Sequence, residues 1–353
     1  ALPISLFILI ESFALYAPPF LGNDLFLKRK KTNSRGGSFV IKYSLKRLLY
    51  MIPVTVGVIF VVYLIMYLTP GNPVALLLGS DATPELIEET KTALGINEPF
   101  FVQFSHYVVS LFRGDFGISW YTGGGVSARL FGAIPYTLIL TVLALALAMI
   151  ISIPLGVIAA VRQNTAADYA VSLFAICGVS APTFWVGIML ILLFCVNLRV
   201  LPSSGVDTWQ CYILPSITMS FNLLASITRT QRSSMLEVLR QDYIRTAKAK
   251  GVSNRVATYS HALRNAVIPS ITVAGINFGT LMGGSVAIET VFAVPGVGRL
   301  LSDSIKIHDT PTVIGCMVFT AVTVSIVNLI VDLLYAAIDP RIKAQYLKGG
   351  KRA

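Results

Sequence analysis

The chain has 353 residues, 55% of them hydrophobic and only 13% charged, with mean hydropathy +0.73 and a net charge of +11. Soluble domains carry about 25% charged residues, so an ordinary soluble protein is excluded, and the length leaves room for about six to eight spans of roughly 20 residues. Nucleic-acid binding is not the reading of the positive balance, because Lys and Arg alternate between segments rather than forming one patch.

Residues 1–40 read as an N-terminal extension, in part not native to the rest. The apolar run 2–10 is too short to span, Glu11 interrupts it, and no positive charge precedes it as in a signal peptide. Residues 41–68 hold a basic lead-in and a first span, whose apolar part is 48–68. Residues 69–129 then form a long connection in which acidic residues outnumber basic ones six to three. It should contain a short helix, with Thr83 as N-cap, Pro84 first, Glu85, Glu88 and Glu89 early, and Gly95 as the stop. A small ordered subdomain is expected there.

Five more uncharged windows follow, at 130–161, 169–198, 208–228, 265–288 and 310–331. Each exceeds the roughly 18 residues that a spanning helix needs. With no ion inside, every backbone amide can be satisfied helically. Pro182 in the third window removes an amide donor and should kink that helix. An all-α membrane fold of six helices follows, its core at 130–343 and a tail at 344–353. Counted over alternating segments, 22 of the 28 Lys and Arg residues fall on one side. That asymmetry places both termini, and the loop 229–264, in the cytoplasm.

Catalytic signatures are missing. There is no phosphate loop, so ATP hydrolysis is assigned to other chains, and no GxSxG or HExxH string occurs. His106, His261 and His308 are far apart and read as surface or packing residues. Cys177, Cys195, Cys211 and Cys316 form no CxxC, so neither a metal nor a disulfide is expected, and no cofactor. No mid-span ion is present to couple a proton or sodium gradient. An intramembrane enzyme is disfavoured for want of a nucleophile–base pair, and a pure scaffold does not require the features described next.

The loop 229–264 contains "RTAKAKGVSN". Good helix formers end at Gly251, the preferred residue for a left-handed stop, and Ser253 can cap a second helix. Such a basic helix–turn–helix serves either as a lipid anchor or as a docking element. Gly275, Gly279 and Gly283 recur every four residues in span five, which suits either close helix packing or the wall of a path. Asn222, Asn277 and Asn328 are polar positions within spans, for interhelical bonds or for a polar solute. The turn after Glu289, with Phe292, Pro295, Gly296 and Gly298, cannot continue a helix through Pro295.

Seven strings in order resemble the dipeptide/oligopeptide/nickel branch of binding-protein-dependent ABC importer permeases. They are "KRLLYMIPV" at 46–54, "LTPGNP" at 68–73, "GDFGISW" at 114–120, "SAPTFWVGIML" at 180–190, "HALRNAVIPSIT" at 261–272, "ETVFAVPGVGRLL" at 289–301 and "DLLYAAIDPRIK" at 332–343. The 245–251 stretch is similar to the family's Glu-Ala-Ala-x-x-x-Gly coupling loop. Ala247 and Gly251 match, while Arg245 and Thr246 depart from Glu and Ala. The resemblance covers about 41–343 and implies the first of two related permeases, with type I importer architecture and an extracytoplasmic subdomain at 69–129. It implies ATPase coupling through Asp242, Tyr243, Arg245, Thr246, Ala247, Lys248, Ala249, Lys250, Gly251 and Ser253, and a gate turn at 289–298. The implied partners are a second permease, two ABC ATPases, an extracytoplasmic binding protein, membrane lipid and a peptide cargo, with nickel as the alternative, and no nucleic acid.

Overall fold

The computed structural model describes residues 36–69, 74, 78, 82–283 and 286–338. Most of the 1–40 extension, residues 70–73 of the 68–73 string and the tail 344–353 lie outside them. The described residues are helical, with no strand beyond an isolated bridge between Ile118 and Gly125. Among the described residues, four helices are long and apolar enough to cross a membrane, and up to six spans result if each of two bent pairs counts as one.

The chain divides into two compact units, 1–133 with 300–353 and 134–299. In the first unit, α1 (Gly36–Leu68) packs along α13 (Thr310–Ile338), so the first and last spans are neighbours. Between them in sequence come α2 (Pro84–Ala93) and α3 (Phe100–Phe112). As expected, Thr83 caps α2, its hydroxyl accepting from Leu86 N at 3.3 Å, and Gly95 takes φ +68°. A ring cluster binds α3 to α1: Phe100, Phe104 and Tyr107 all lie against Tyr63. The Tyr63 hydroxyl donates to Gln103 Oε1 at 2.9 Å, which explains a buried glutamine on an apolar helix.

The second unit is built around α7 (Ile213–Leu239), which packs against α5 (Ala166–Ser180), α6 (Thr183–Ile191) and α10 (Ile268–Met282). Two glycines permit this. A Cβ at Gly178 would meet Ala225 Cβ at 2.7 Å, and one at Gly156 would meet Gln231 Cβ at 2.6 Å. Gly156 lies on α4 (Val126–Val161), a 36-residue helix with Pro135 and Pro154 inside. Its length, about 54 Å at 1.5 Å per residue, exceeds a hydrocarbon core of about 30 Å.

Three windows differ from their sequence outlines. The third is two helices bent by 101°, α5 and then α6 with its π-helical end at Leu192–Asn197, where only a kink was expected at Pro182. Pro182 serves as N-cap of α6, and both Ala181 and Pro182 are extended, so the helix stops outright. The fifth window begins at the end of the helix Asn254–Ala266, bends by 42° into α10, which ends at Met282, and 286–291 forms a separate α11 (Val286–Val291). The fourth continues as helix to Leu239, eleven residues past its last uncharged position. Residues 229–239 of the expected loop are therefore helical. Arg232 is tolerated there because its Nε and Nη2 donate to the two oxygens of buried Asp168, at 2.5 and 2.8 Å.

Candidate functional site

The basic segment folds as two short helical pieces resting on one apolar cluster. The first, α8 (Asp242–Ala249), buries only Ile244, against Val157, Ala160 and Met235. The second, α9, is the composite helix Asn254–Ala266 with a π-helical turn at Ala257–Ala262, and it buries Ala262 and Ala266 on the same cluster. Asp242, Tyr243, Arg245, Thr246, Lys248, Ala249, Lys250, Gly251 and Ser253 are exposed, and Ala247 is half-buried. The ten sequence-selected residues thus share one element. It buries one side chain and otherwise offers a basic surface.

Gly251 has φ +86°, and no atom stands within 4 Å of where its Cβ would be. Val252 N donates to Ala247 O at 3.2 Å and Gly251 N to Lys248 O at 3.0 Å. These two bonds are a Schellman ending, which a left-handed residue makes possible. The Ser253 hydroxyl accepts from Val256 N at 3.4 Å and caps α9. Asn265 Nδ2 donates to the Tyr243 hydroxyl at 2.9 Å, tying the two pieces together.

At the other candidate, α11 also ends in a Schellman pair, with Val294 N to Glu289 O at 2.8 Å and Ala293 N to Thr290 O at 3.2 Å. The left-handed residue is Ala293, φ +54°. Glu289 is fully buried. Its Oε1 accepts from the Thr137 hydroxyl at 2.9 Å and its Oε2 from Arg299 N at 2.9 Å. The Thr137 oxygen in turn accepts from Val297 N at 2.9 Å. A Cβ at Gly296 would lie 2.5 Å from the carboxylate, so glycine alone lets the turn fold over it. Burial raises the Glu289 carboxyl above its ordinary value, outweighing the lowering by Arg299 N–H, the Thr137 hydroxyl and Gly298 N–H. Phe292 is buried in the core cluster with Ile288, Met219 and Leu140. Glu289, Phe292, Gly296 and Gly298 therefore converge on one pinned turn. Sequence reasoning missed Thr137, although Glu289 is the sole acidic residue between Asp242 and Asp303, which marks it.

The glycines of span five and the polar span residues do not converge in the same way. Gly279 and Gly283 are buried and Gly275 is half-buried. Asn277 Nδ2 donates to Val273 O of its own helix at 2.7 Å. Asn222 Nδ2 reaches Val179 O on α5 at 3.4 Å, an interhelical bond. Asn328, half-buried, belongs to the other unit.

A third polar centre was not anticipated. Asp309 precedes α13 and is fully buried. Its carboxylate accepts from the Ser119 hydroxyl at 2.6 Å, Trp120 N at 2.9 Å, Arg129 Nη1 at 3.0 Å and the Thr312 hydroxyl at 2.6 Å. This fastens the "GDFGISW" loop to the start of the last helix. Among the described residues, no group of three or more His, Cys, Asp or Glu is placed to hold a metal ion.

The family described as "Binding-protein-dependent transport system inner membrane component" matches residues 152–344, and its N-terminal companion matches 40–141. The chain is 40% identical over 304 residues to "Glutathione transport system permease protein GsiC" of Escherichia coli strain K12, covering 86% of this chain and 99% of the relative. The protein of that name from Salmonella typhi has the same identity and coverage. A solved chain of the MetNI methionine ABC transporter, in an inward-facing form, superposes with TM-score 0.48 at 19% identity, covering 60% of this chain and 97% of that one.

Proposed function

The chain belongs to the family of binding-protein-dependent transport system inner membrane components, as a multi-pass ABC importer permease subunit, and we propose that it forms half of the path for short peptides. The observation that carries the cargo class is its 40% identity across nearly the whole of a permease named for glutathione, itself a small peptide. Extracytoplasmic delivery by a binding protein, a second permease and two ATPases complete the proposed assembly.

The proposed coupling element is α8 with its turn, 242–251, and Ser253. Its single buried anchor, Ile244, leaves Arg245, Lys248 and Lys250 on the surface, where an ATPase groove can take hold of a rigid basic knob. The 22-to-6 division of positive residues supports a cytoplasmic position for this element and for both termini. In the proposed cycle, ATP closes the partner ATPases, the groove carries α8 with it, and the spans open towards the binding protein. The pinned turn 289–298 is the proposed gate element on the opposite face, and the segment 69–129 the extracytoplasmic subdomain. Asn222, Gly275, Asn277, Gly279, Gly283 and Asn328 remain proposed path or packing positions.

The test is uptake into proteoliposomes holding the complete transporter with binding protein and ATP. Labelled di- and tripeptides should accumulate and Ni²⁺ should not. Accumulation of Ni²⁺ without peptide would overturn the cargo assignment and leave the importer standing. Gly251→Pro, or Ala247→Trp, should abolish uptake while membrane insertion stays normal. Full uptake by both variants would remove the coupling assignment.

A further inference from the structure

Helix α3 carries two apolar faces, and α1 covers only one. Phe100, Phe104 and Tyr107 meet Tyr63, with ring centroids at 5.8, 6.0 and 6.2 Å. Phe101, Val109 and Phe112 point elsewhere and are 73, 50 and 66% exposed. At 100° per residue these three fall within one narrow sector of the helix. His106 and Arg113, also exposed, edge that sector with polar groups. An exposed apolar face of this kind needs a partner.

The depth at which α3 meets α1 identifies the partner. The span Leu49–Leu68 has 20 residues, about 30 Å of helix, which matches a hydrocarbon core. Tyr63, where the rings of α3 converge, lies five residues before Leu68, about 7 Å inside that end. Phe60, which meets Phe100 and Phe104 edge to face, lies about 12 Å inside it. Helices lying in a membrane interface bury their apolar faces about 5–10 Å deep. With 13 residues, α3 is too short to cross.

We propose that α3 is an interfacial helix whose Phe101, Val109 and Phe112 insert among lipid acyl chains, so that the 69–129 subdomain sits partly within the bilayer. His106 and Arg113 then lie at headgroup level, and the face is continuous with the lipid-facing side of α1. The inference depends on membrane placement alone, not on cargo or coupling.

The test places photoreactive p-benzoylphenylalanine at Phe101 and, separately, at Phe112 in the full chain, in its native membrane with its partners present. Val61, exposed on the span itself, serves as the positive control and buried Gln103 as the negative. After irradiation, mass spectrometry should find phospholipid adducts at 101 and 112 as at 61, and none at 103. Where Val61 gives its adduct, any other result at either position, whether a cross-link to another polypeptide or no adduct, overturns the proposal.

Discussion

Two helix ends, at Gly251 and at Ala293, close with the same pair of backbone bonds in opposite surroundings. At Gly251 the left-handed residue is glycine, the space beside it is open, and the element is held by one buried side chain, Ile244, and the Tyr243–Asn265 hydrogen bond. At Ala293 an L-residue carries the left-handed geometry, costing about 1–2 kcal/mol. It is over-determined by a buried carboxylate and a glycine with no room for a Cβ. The first end stands clear of the core, so the proposed coupling motion of 242–251 would leave that core undisturbed. The second is built so that 289–299 moves as one piece or not at all.

The comparison breaks most sharply at Gly296. Gly296→Val drives a side chain into the Glu289 carboxylate and should cost about 3 kcal/mol, the top of the overpacking range. The check is the melting temperature and yield of monodisperse protein in detergent. Ile244→Ala should cost about 2 kcal/mol or slightly more, at the low end for buried Ile→Ala, because the short helix that carries it can settle into the space left. Its mark should be local: faster proteolysis within 241–256 and reduced uptake, with the remaining helices still protected.

Glu289→Gln should cost about 2 kcal/mol, since an amide puts a donor where Thr137 or Arg299 already donates. The loss should depend on pH. The wild-type carboxyl titrates above its unfolded value, so its contribution is greatest below that value and falls as pH rises through the folded one. Stability curves of wild type and variant should therefore converge with increasing pH, and parallel curves would contradict the assignment. The smallest effects form a matched pair. Gly251→Ala should lose about 1 kcal/mol to φ alone, while Ala293→Gly should gain up to about 1 kcal/mol, both read as shifts in melting temperature.

Much of the first end was legible in the sequence. Thr83, Gly95, Gly251 and Ser253 act on their own neighbours, and local chemistry announces local geometry. The second end was legible only as a turn. Thr137 lies 152 residues from Glu289, and nothing nearby in the chain records that pairing. Arg232 shows the same limit. Read one charge at a time, the fourth span ended at Arg229, yet the helix runs on past Arg232, whose partner Asp168 lies 64 residues away. Pro182 was read correctly as a missing donor, but whether a helix bends or stops there depends on what packs beyond it.

The Asp309 lock also orders events in time. Ser119 and Asp309 are 190 residues apart, so the loop around Ser119 is synthesised long before the carboxylate that holds it. At about 5–20 residues per second the wait is about 10–40 s. Throughout that interval Arg129 lacks the Asp309 carboxylate that it meets in the folded chain. The loop around Ser119 can be fastened only after Asp309 has been made, so the lock reports that synthesis has passed that point.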